Sequence, residues 1–277
     1  MREAMSGYHV GKTPSFACLA DQRFSYCLYV PSAYDERATA ARVLVVIHDT
    51  QRNNQSLRDA FVDYAEESNT LVVAPLFPAG IAVASDLDNY KYLRFRDIRF
   101  DELLLDMTGE IARRYGVDDA RFSLFGFSGG AHFAHRFAYV RPERLRAVVA
   151  ASPGSVTLPS EEYRWWPGIE DFEAIFGKPL PWEGLRMVPL HLVVGSDDTN
   201  PRGIVQSKEN PNWVEGAAAA GANRVERLRT LHAQLKQRGA RVTLEELEGV
   251  GHELEPVVAA AVRYFRGLAE EGVARVG

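Results

Sequence analysis

Short runs of apolar and β-branched residues alternate along this chain with segments in which apolar positions recur every three to four residues. The runs are "RVLVVIH" (Arg42 to His48), "TLVVAP" (Thr70 to Pro75), "RFSLFGF" (Arg121 to Phe127), "LRAVVAA" (Leu145 to Ala151), "LHLVVG" (Leu190 to Gly195) and "RVTLEEL" (Arg241 to Leu247). Such runs read as strands, and their nearly continuous apolar character marks strands covered on both faces, as in parallel sheets. The first helical segment lies near Leu57 to Ser68. A second runs from about Asp97 to Tyr115, with Phe100, Leu104, Met107 and Ile111 on one face and Gly116 closing it. A third opens at Ser128, and a fourth spans Ala222 to Arg238 before Gly239. The last sets Leu254, Val257, Val258, Ala261, Val262, Phe265 and Leu268 on one stripe. Ahead of all these, "SFACLA" and "FSYCLYV" read as a hairpin turning at Gln22 and Arg23. The pattern predicts an α/β protein with a mostly parallel sheet of about eight strands and helices on both faces.

Between Pro153 and Pro189 the alternation stops. A stretch of that length carries small elements of its own or a function, and it reads as a cap-like insertion over about 153–189. It holds Trp165, Trp166 and Trp182 with Tyr163, Phe172 and Phe176, while Trp213 follows in the loop after Asp198. Both segments leave strands on the same edge of the sheet, so these rings are expected to wall the mouth of any site there. The chain has no internal repeat, and "AAAA" at Ala217 to Ala220 is too short to be a linker, so one domain over residues 1–277 is expected.

Composition narrows the partners. With 46% hydrophobic and 25% charged residues among 277, the chain has ordinary globular proportions. A formal net charge of −5 provides no basic field for a polyanion, which argues against nucleic acid. No apolar run approaches the ~20 residues of a membrane span. The N-terminal "MREAMSGYHVGKTPSF" has no apolar signal core, so a cytoplasmic location is expected. Cys18 and Cys27 would face each other across the predicted hairpin, which makes a disulfide geometrically available, although in a reducing compartment both remain buried thiols. There is no CxxC and no His/Cys cluster at ligand spacing, and hence no expected metal site.

The chemistry concentrates in Gly126-Phe127-Ser128-Gly129-Gly130. A serine in Gly-x-Ser-x-Gly between a strand and a helix sits on a cramped turn that exposes its hydroxyl, and the helix that starts there aims unpaired N–H groups at an adjacent oxyanion. Serine becomes a nucleophile only when a base takes its proton and an acid orients that base. Asp198, in Gly-Ser-Asp-Asp after the fifth run, and His252, in "GVGHE" after the last, supply both in order. All three fall past the C-terminal ends of strands, the edge where open α/β sheets gather their sites. Asp197 competes with Asp198 for the acid. His132 and His135, one and two turns beyond Ser128, read as packing residues, and His48 as a structural residue of the loop that follows it. Arg94, Arg96 and Arg99, beside Asp97 and Asp101, read as a solvated, self-paired surface.

With those residues in place, the chain resembles the α/β-hydrolase family from "VLVVIH" to the final helix, and within it the polyhydroxyalkanoate-depolymerase and feruloyl-esterase kind. The resemblance implies a nucleophile at Ser128, an acid at Asp198, a base at His252, and an oxyanion hole formed by the N–H groups of Gly129 and of the loop after His48, by position Thr50. That loop reads His48-Asp49-Thr50-Gln51 where the family usually has His-Gly, so Asp49 stands where the glycine's backbone freedom is expected. The implied activity is cofactor-free cleavage of a small ester or acyl substrate through an acyl-enzyme. Phe127, Tyr163, Trp165 and Trp166 are the candidate substrate-binding residues. A serine peptidase or amide hydrolase would use the same triad. A non-catalytic binding protein of the same fold would have no need of it.

Overall fold

The structure is a computed structural model that describes residues 7–34, 42–118, 120–204, 208 and 213–274. Residues 1–6, which fall within the stretch read for a signal core, lie outside the described residues. The strands are β1 (Gly11–Lys12), β2 (Phe16–Ala17), β3 (Ser25–Val30), β4 (Arg42–Ile47), β5 (Thr70–Leu76), β6 (Arg94–Phe95), β7 (Ile98–Arg99), β8 (Phe122–Phe127), β9 (Leu145–Ala151), β10 (Leu190–Gly195) and β11 (Val242–Leu247). The helices are α1 (Asn54–Asp59), α2 (Val62–Ser68), α3 (Phe100–Tyr115), α4 (Gly129–Val140), α5 (Phe172–Phe176), α6 (Trp182–Met187), α7 (Arg224–Gln237) and α8 (Leu254–Ala274).

Nine strands form one sheet in the order β1-β3-β5-β4-β8-β9-β10-β11, with β2 also paired to β3. From β5 to β11 all neighbours are parallel, and β3 joins β5 antiparallel. Alternate residues along each strand feed two separate cores, as the two-residue period requires. Val43, Val45 and Ile47 of β4 face a core with Leu104 and Met107 of α3, Phe133 and Phe137 of α4, and Leu228 and Leu231 of α7. Leu44 and Val46 face the other core with Leu57 of α1, Phe61 between α1 and α2, Tyr64 of α2, and Val257, Ala261 and Phe265 of α8. Each such side chain taken out of water stabilises the fold by about 1.5–3 kcal/mol before conformational entropy is subtracted. The mostly parallel, two-sided sheet predicted from the runs is the sheet observed.

The chain leaves β4 for β5 on one side and, after α3, enters β8 on the other. The C-terminal ends of β4 and β8 therefore flank the point where the strand order reverses, which is where such sheets open a crevice.

Four local readings need correction. Strands β2 and β3 pair Phe16 with Tyr26 and Ala17 with Ser25, so Cys18 lies opposite Phe24, not Cys27. The two cysteines fall on opposite faces of the sheet, both buried and free. The helix near Leu57 to Ser68 is two helices, because the Phe61 N–H bonds three residues back to Arg58 and its ring turns into the core against Phe125. The helix expected from Asp97 starts at Phe100, since Arg94 to Arg99 fold into the β6–β7 ribbon around left-handed Arg96. Finally, Arg94, Arg96 and Asp97 are exposed and Arg99 pairs with Asp101 inside the cluster, as read, but Asp101 itself is fully buried and is shared with Arg141.

Segment 153–189 carries α5 and α6. Trp182 opens α6, which packs on the turn at Pro142 ahead of β9, with Arg238 over its ring. That is the edge away from Ser128, so Trp182 does not wall a mouth beside it. A cavity of about 370 Å³ on that far edge is rimmed by Arg42, Arg121, Arg146 and Arg241. In this topology the helices end there, and their carbonyl ends favour cations. No helix of the described residues is long and apolar enough to cross a membrane.

Candidate active site

Ser128 links β8 to α4 with φ +52° and ψ −113°, a backbone conformation sparsely populated for a residue with a side chain. Its neighbours explain how the chain tolerates it. A Cβ at Gly126 would lie 2.1 Å from the Gly130 carbonyl oxygen, and one at Gly130 would lie 2.0 Å from that of Ile47. The motif glycines are thus required by backbone crossing backbone. Gly130→Ala is expected to cost about 3 kcal/mol or more, or to prevent folding, because the obstructing atom is main chain and cannot swing aside; thermal unfolding of the variant measures it.

A second crossing brings the other two residues in. The turn after β10 passes beneath the loop after β11, and a Cβ at Gly195 would lie 2.1 Å from the Val250 carbonyl oxygen. Across this contact His252 Nδ1 lies 2.7 Å from Asp198 Oδ2, and His252 Nε2 lies 3.1 Å from Ser128 Oγ. Asp198 is 2% exposed, whereas Asp197 points outward and accepts a hydrogen bond from Ser196 Oγ. The structure thus joins Ser128, His252 and Asp198 and leaves Asp197 out. The Phe127 ring stacks on the His252 imidazole at 4.8 Å. Burial works against a charged Asp198, but the His252 hydrogen bond and the Arg224 guanidinium outweigh it and hold the carboxyl below the usual carboxylate range.

The loop after β4 faces the start of α4. Thr50 N and Oγ1 each lie 3.0 Å from where a Cβ of Gly129 would be, and Tyr90 Oη lies closer still. Thr50 and the first residue of α4, Gly129, are therefore close neighbours beside Ser128. The departure at Asp49 is absorbed within the loop. Its left-handed residue is Arg52 (φ +63°) rather than Asp49, whose carboxylate accepts the Gln51 N–H at 2.8 Å in a side-chain turn. Arg52 donates to the carbonyls of Thr50, Phe77 and Leu87 and lies over the Tyr90 ring, whose hydroxyl donates to the His48 carbonyl.

The remaining histidines sit in fixed structural contacts. His48 Nε2 accepts the Phe77 N–H, His132 Nε2 the Ser155 N–H, and His135 Nε2 the Thr157 N–H. Burial drives all three below the ordinary histidine range, His48 to about 3, with neighbouring cations adding to it. An unfolded chain binds protons on these rings below about pH 6.5, whereas the folded chain stays neutral, so the stability they contribute is complete above that pH and lost as pH falls. The expected loss is about 1.4 kcal/mol per pH unit for each histidine. Urea unfolding between about pH 7.5 and about pH 5 measures the slope.

In the 153–189 segment, Trp166 is buried and stacks on Tyr92 at 5.6 Å. Trp165 packs edge-on against Phe172 and Phe176 and donates from Nε1 to the Tyr92 carbonyl. Tyr163 covers Gly216. Beneath them lies fully buried Arg136 of α4, its guanidinium spent on Thr157 Oγ1, Ser155 Oγ and the carbonyls of Lys91 and His132. Burial lowers it to about 10. Arg52, Tyr90, Arg136 and Arg224 went unread in the sequence, where nothing separates them from surface residues of the same type. Among the described residues no group of three or more His, Cys, Asp and Glu side chains is arranged to hold a metal ion.

The sheet order, the reversal at β4 and β8 and the strand–serine–helix turn define an α/β-hydrolase fold. No protein-family model matches the sequence, and no curated protein does. Among solved structures, the chain is similar to poly(aspartic acid) hydrolase-1 from Sphingomonas sp. KT-1, with 21% identity over 91% of this chain and 97% of that one and a TM-score of 0.73. It is similar to LpqC, a poly(3-hydroxybutyrate) depolymerase from Bordetella parapertussis, with 24% identity over 94% and 91% of the two chains and a TM-score of 0.75. An S-formylglutathione hydrolase from Agrobacterium tumefaciens aligns at 17% identity over 96% and 97%, with a TM-score of 0.61. At these identities what is shared is the fold.

Proposed function

We propose that this protein is a serine hydrolase that cleaves carboxylic esters of small acyl substrates through an acyl-enzyme. The observation that carries the reading is the continuous chain of contacts from Ser128 Oγ through His252 to Asp198, three residues brought together from three strand ends. In the first half-reaction His252 Nε2 takes the Ser128 proton as Oγ attacks the acyl carbon. The oxyanion that forms is met by the N–H groups of Gly129 and Thr50. The C–O bond to the leaving alcohol breaks as His252 returns the proton to it. Water then attacks the acyl-enzyme by the same route and frees the acid and Ser128. Asp198 holds the imidazole with its proton on Nδ1. Phe127 keeps the ring in plane, and the partly exposed Tyr163 and Trp165 are our candidates for the wall against which the acyl or alcohol portion rests, while Trp166 is buried against Tyr92. Among the similar structures, poly(3-hydroxybutyrate) is a polyester, S-formylglutathione a thioester and poly(aspartic acid) a polyamide, so their names agree with hydrolytic acyl transfer, and an amide hydrolase with the same triad is the alternative that the substrate panel separates. The experiment is labelling with a fluorophosphonate probe and peptide mapping, beside a panel of acetyl to long-chain esters. Adduct on Ser128 and ester turnover are expected; an unlabelled, inert but folded protein overturns the reading.

A further inference from the structure

Asp198 has two partners. Its Oδ2 meets His252, and its Oδ1 accepts from Arg224 Nη1 at 3.0 Å, the two side chains being 1% and 11% exposed. The carboxylate is therefore shared between a ring that gains and loses a proton and a guanidinium that does neither.

The placement of Arg224 is built into the chain. It is the first residue of α7, directly after Asn223, whose side chain accepts the Glu226 N–H at 2.9 Å while Glu226 reaches back to Asn223 Nδ2 and to the Ala222 N–H. Gly221 sits at φ +135°, and a Cβ there would strike the Glu226 side chain at 2.5 Å. One turn on, Arg227 donates to the carbonyls of Gly221, Gly154 and Ile204. The helix start is thus tied to both loops beside it, and Arg224 is delivered to Asp198 with little freedom to leave.

We propose that Arg224 is a positioning residue of the triad: it clamps Asp198 through Oδ1 and, as a permanent positive charge, keeps His252 in its proton-accepting form at lower pH than Asp198 alone would permit. This rests on the serine-hydrolase reading. The sign follows from electrostatics. A bare carboxylate beside the imidazole favours the protonated ring, which cannot accept the serine's proton. A guanidinium on the other carboxylate oxygen cancels part of that field and repels the imidazolium directly. The other charged or titratable groups near the pair do not supply this effect. Asp197 is exposed and turned to Ser196, Glu253 accepts the Gly251 N–H, His132 is held neutral by burial, and Arg227 is spent on carbonyls. Phe127 and Ser128, which also touch His252, carry no charge.

The test is the pH profile of kcat/KM on one small ester for the unaltered protein, Arg224→Met, Arg224→Gln and Arg224→Lys, with melting temperatures alongside. In the Met and Gln variants the acid limb is expected to move up by about one pH unit, so that the loss at a pH on the limb exceeds any loss on the alkaline plateau by about tenfold. Lysine, which restores the charge without the fork, is expected to bring the limb most of the way back. An unmoved limb in either folded neutral variant overturns the proposal. So does an equal loss at every pH, which marks a purely structural role. Gln, able to hydrogen-bond Oδ1, keeps the test open if Met impairs folding. Should the unaltered protein neither label with fluorophosphonate nor turn over esters, the hydrolase reading fails and this proposal with it. Labelling with an unmoved limb removes only the role of Arg224.

Discussion

Ser128→Ala is expected to lower ester turnover by about a millionfold, His252→Ala by a similar factor, and the double variant by little more than either. The lack of additivity is the informative part. On the proposed reading the serine oxygen is nucleophilic only while Nε2, 3.1 Å away, can take its proton, so removing either group removes one shared event. Residual rate over water would come from the oxyanion donors and from substrate binding, which neither substitution touches. Ser128 is partly buried and strained, so alanine should leave the melting temperature nearly unchanged and keep any loss of rate separate from loss of fold. Pre-steady-state kinetics on a chromogenic ester, with circular dichroism, make the comparison. A folded Ser128→Ala protein that retains most of its activity would place the nucleophile elsewhere.

Asp198→Asn is expected to reduce kcat by about ten-thousandfold. The amide fits the same space but presents an N–H to one of its two partners. Facing His252, it favours the tautomer with the proton on Nε2, the nitrogen that must accept from Ser128. Facing Arg224, it sets donor against donor in a buried place. Asp197→Asn changes an exposed carboxylate one residue away and is expected to leave kcat within about twofold, in keeping with surface substitutions of small effect. Steady-state kinetics of the two variants side by side distinguish them, and a reversed ranking would transfer the acid's role to Asp197.

The parts of this molecule legible in the sequence are those where local pattern and tertiary placement coincide. Strands buried on both faces cannot be written without apolar runs, and a polar residue just past a strand's end is marked by the run before it, so Ser128, Asp198 and His252 are legible. The α3 stripe of Phe100, Leu104, Met107 and Ile111 was readable for the same reason, and all four are buried. What escaped depends on contacts distant in sequence. Arg224 follows a helix cap like many surface arginines, and only the fold carries it to a carboxylate 26 residues away. Trp182 shares a segment with Trp165, but that segment runs from one edge of the sheet to the other, which composition does not record. The hairpin register is not legible because the centre of a short turn determines which residues face each other, and "ADQRF" allows more than one centre. At Asp49 the sequence drew attention to a missing glycine, whereas the chain makes its left-handed bend three residues later, at Arg52.

The crossing at Gly195 and Val250 also bears on biosynthesis. Ser128 and His252 stand 124 residues apart, and the loop that brings the imidazole over Gly195 emerges only after β11, the outermost strand. A nascent chain that has already formed β4, β8 and the serine turn holds a hydroxyl with no base beside it. On the hydrolase reading, such a chain is chemically silent until its C-terminal segment has been made and docked. Probe labelling of ribosome-bound chains of increasing length would then date the completion of the fold as much as the onset of activity.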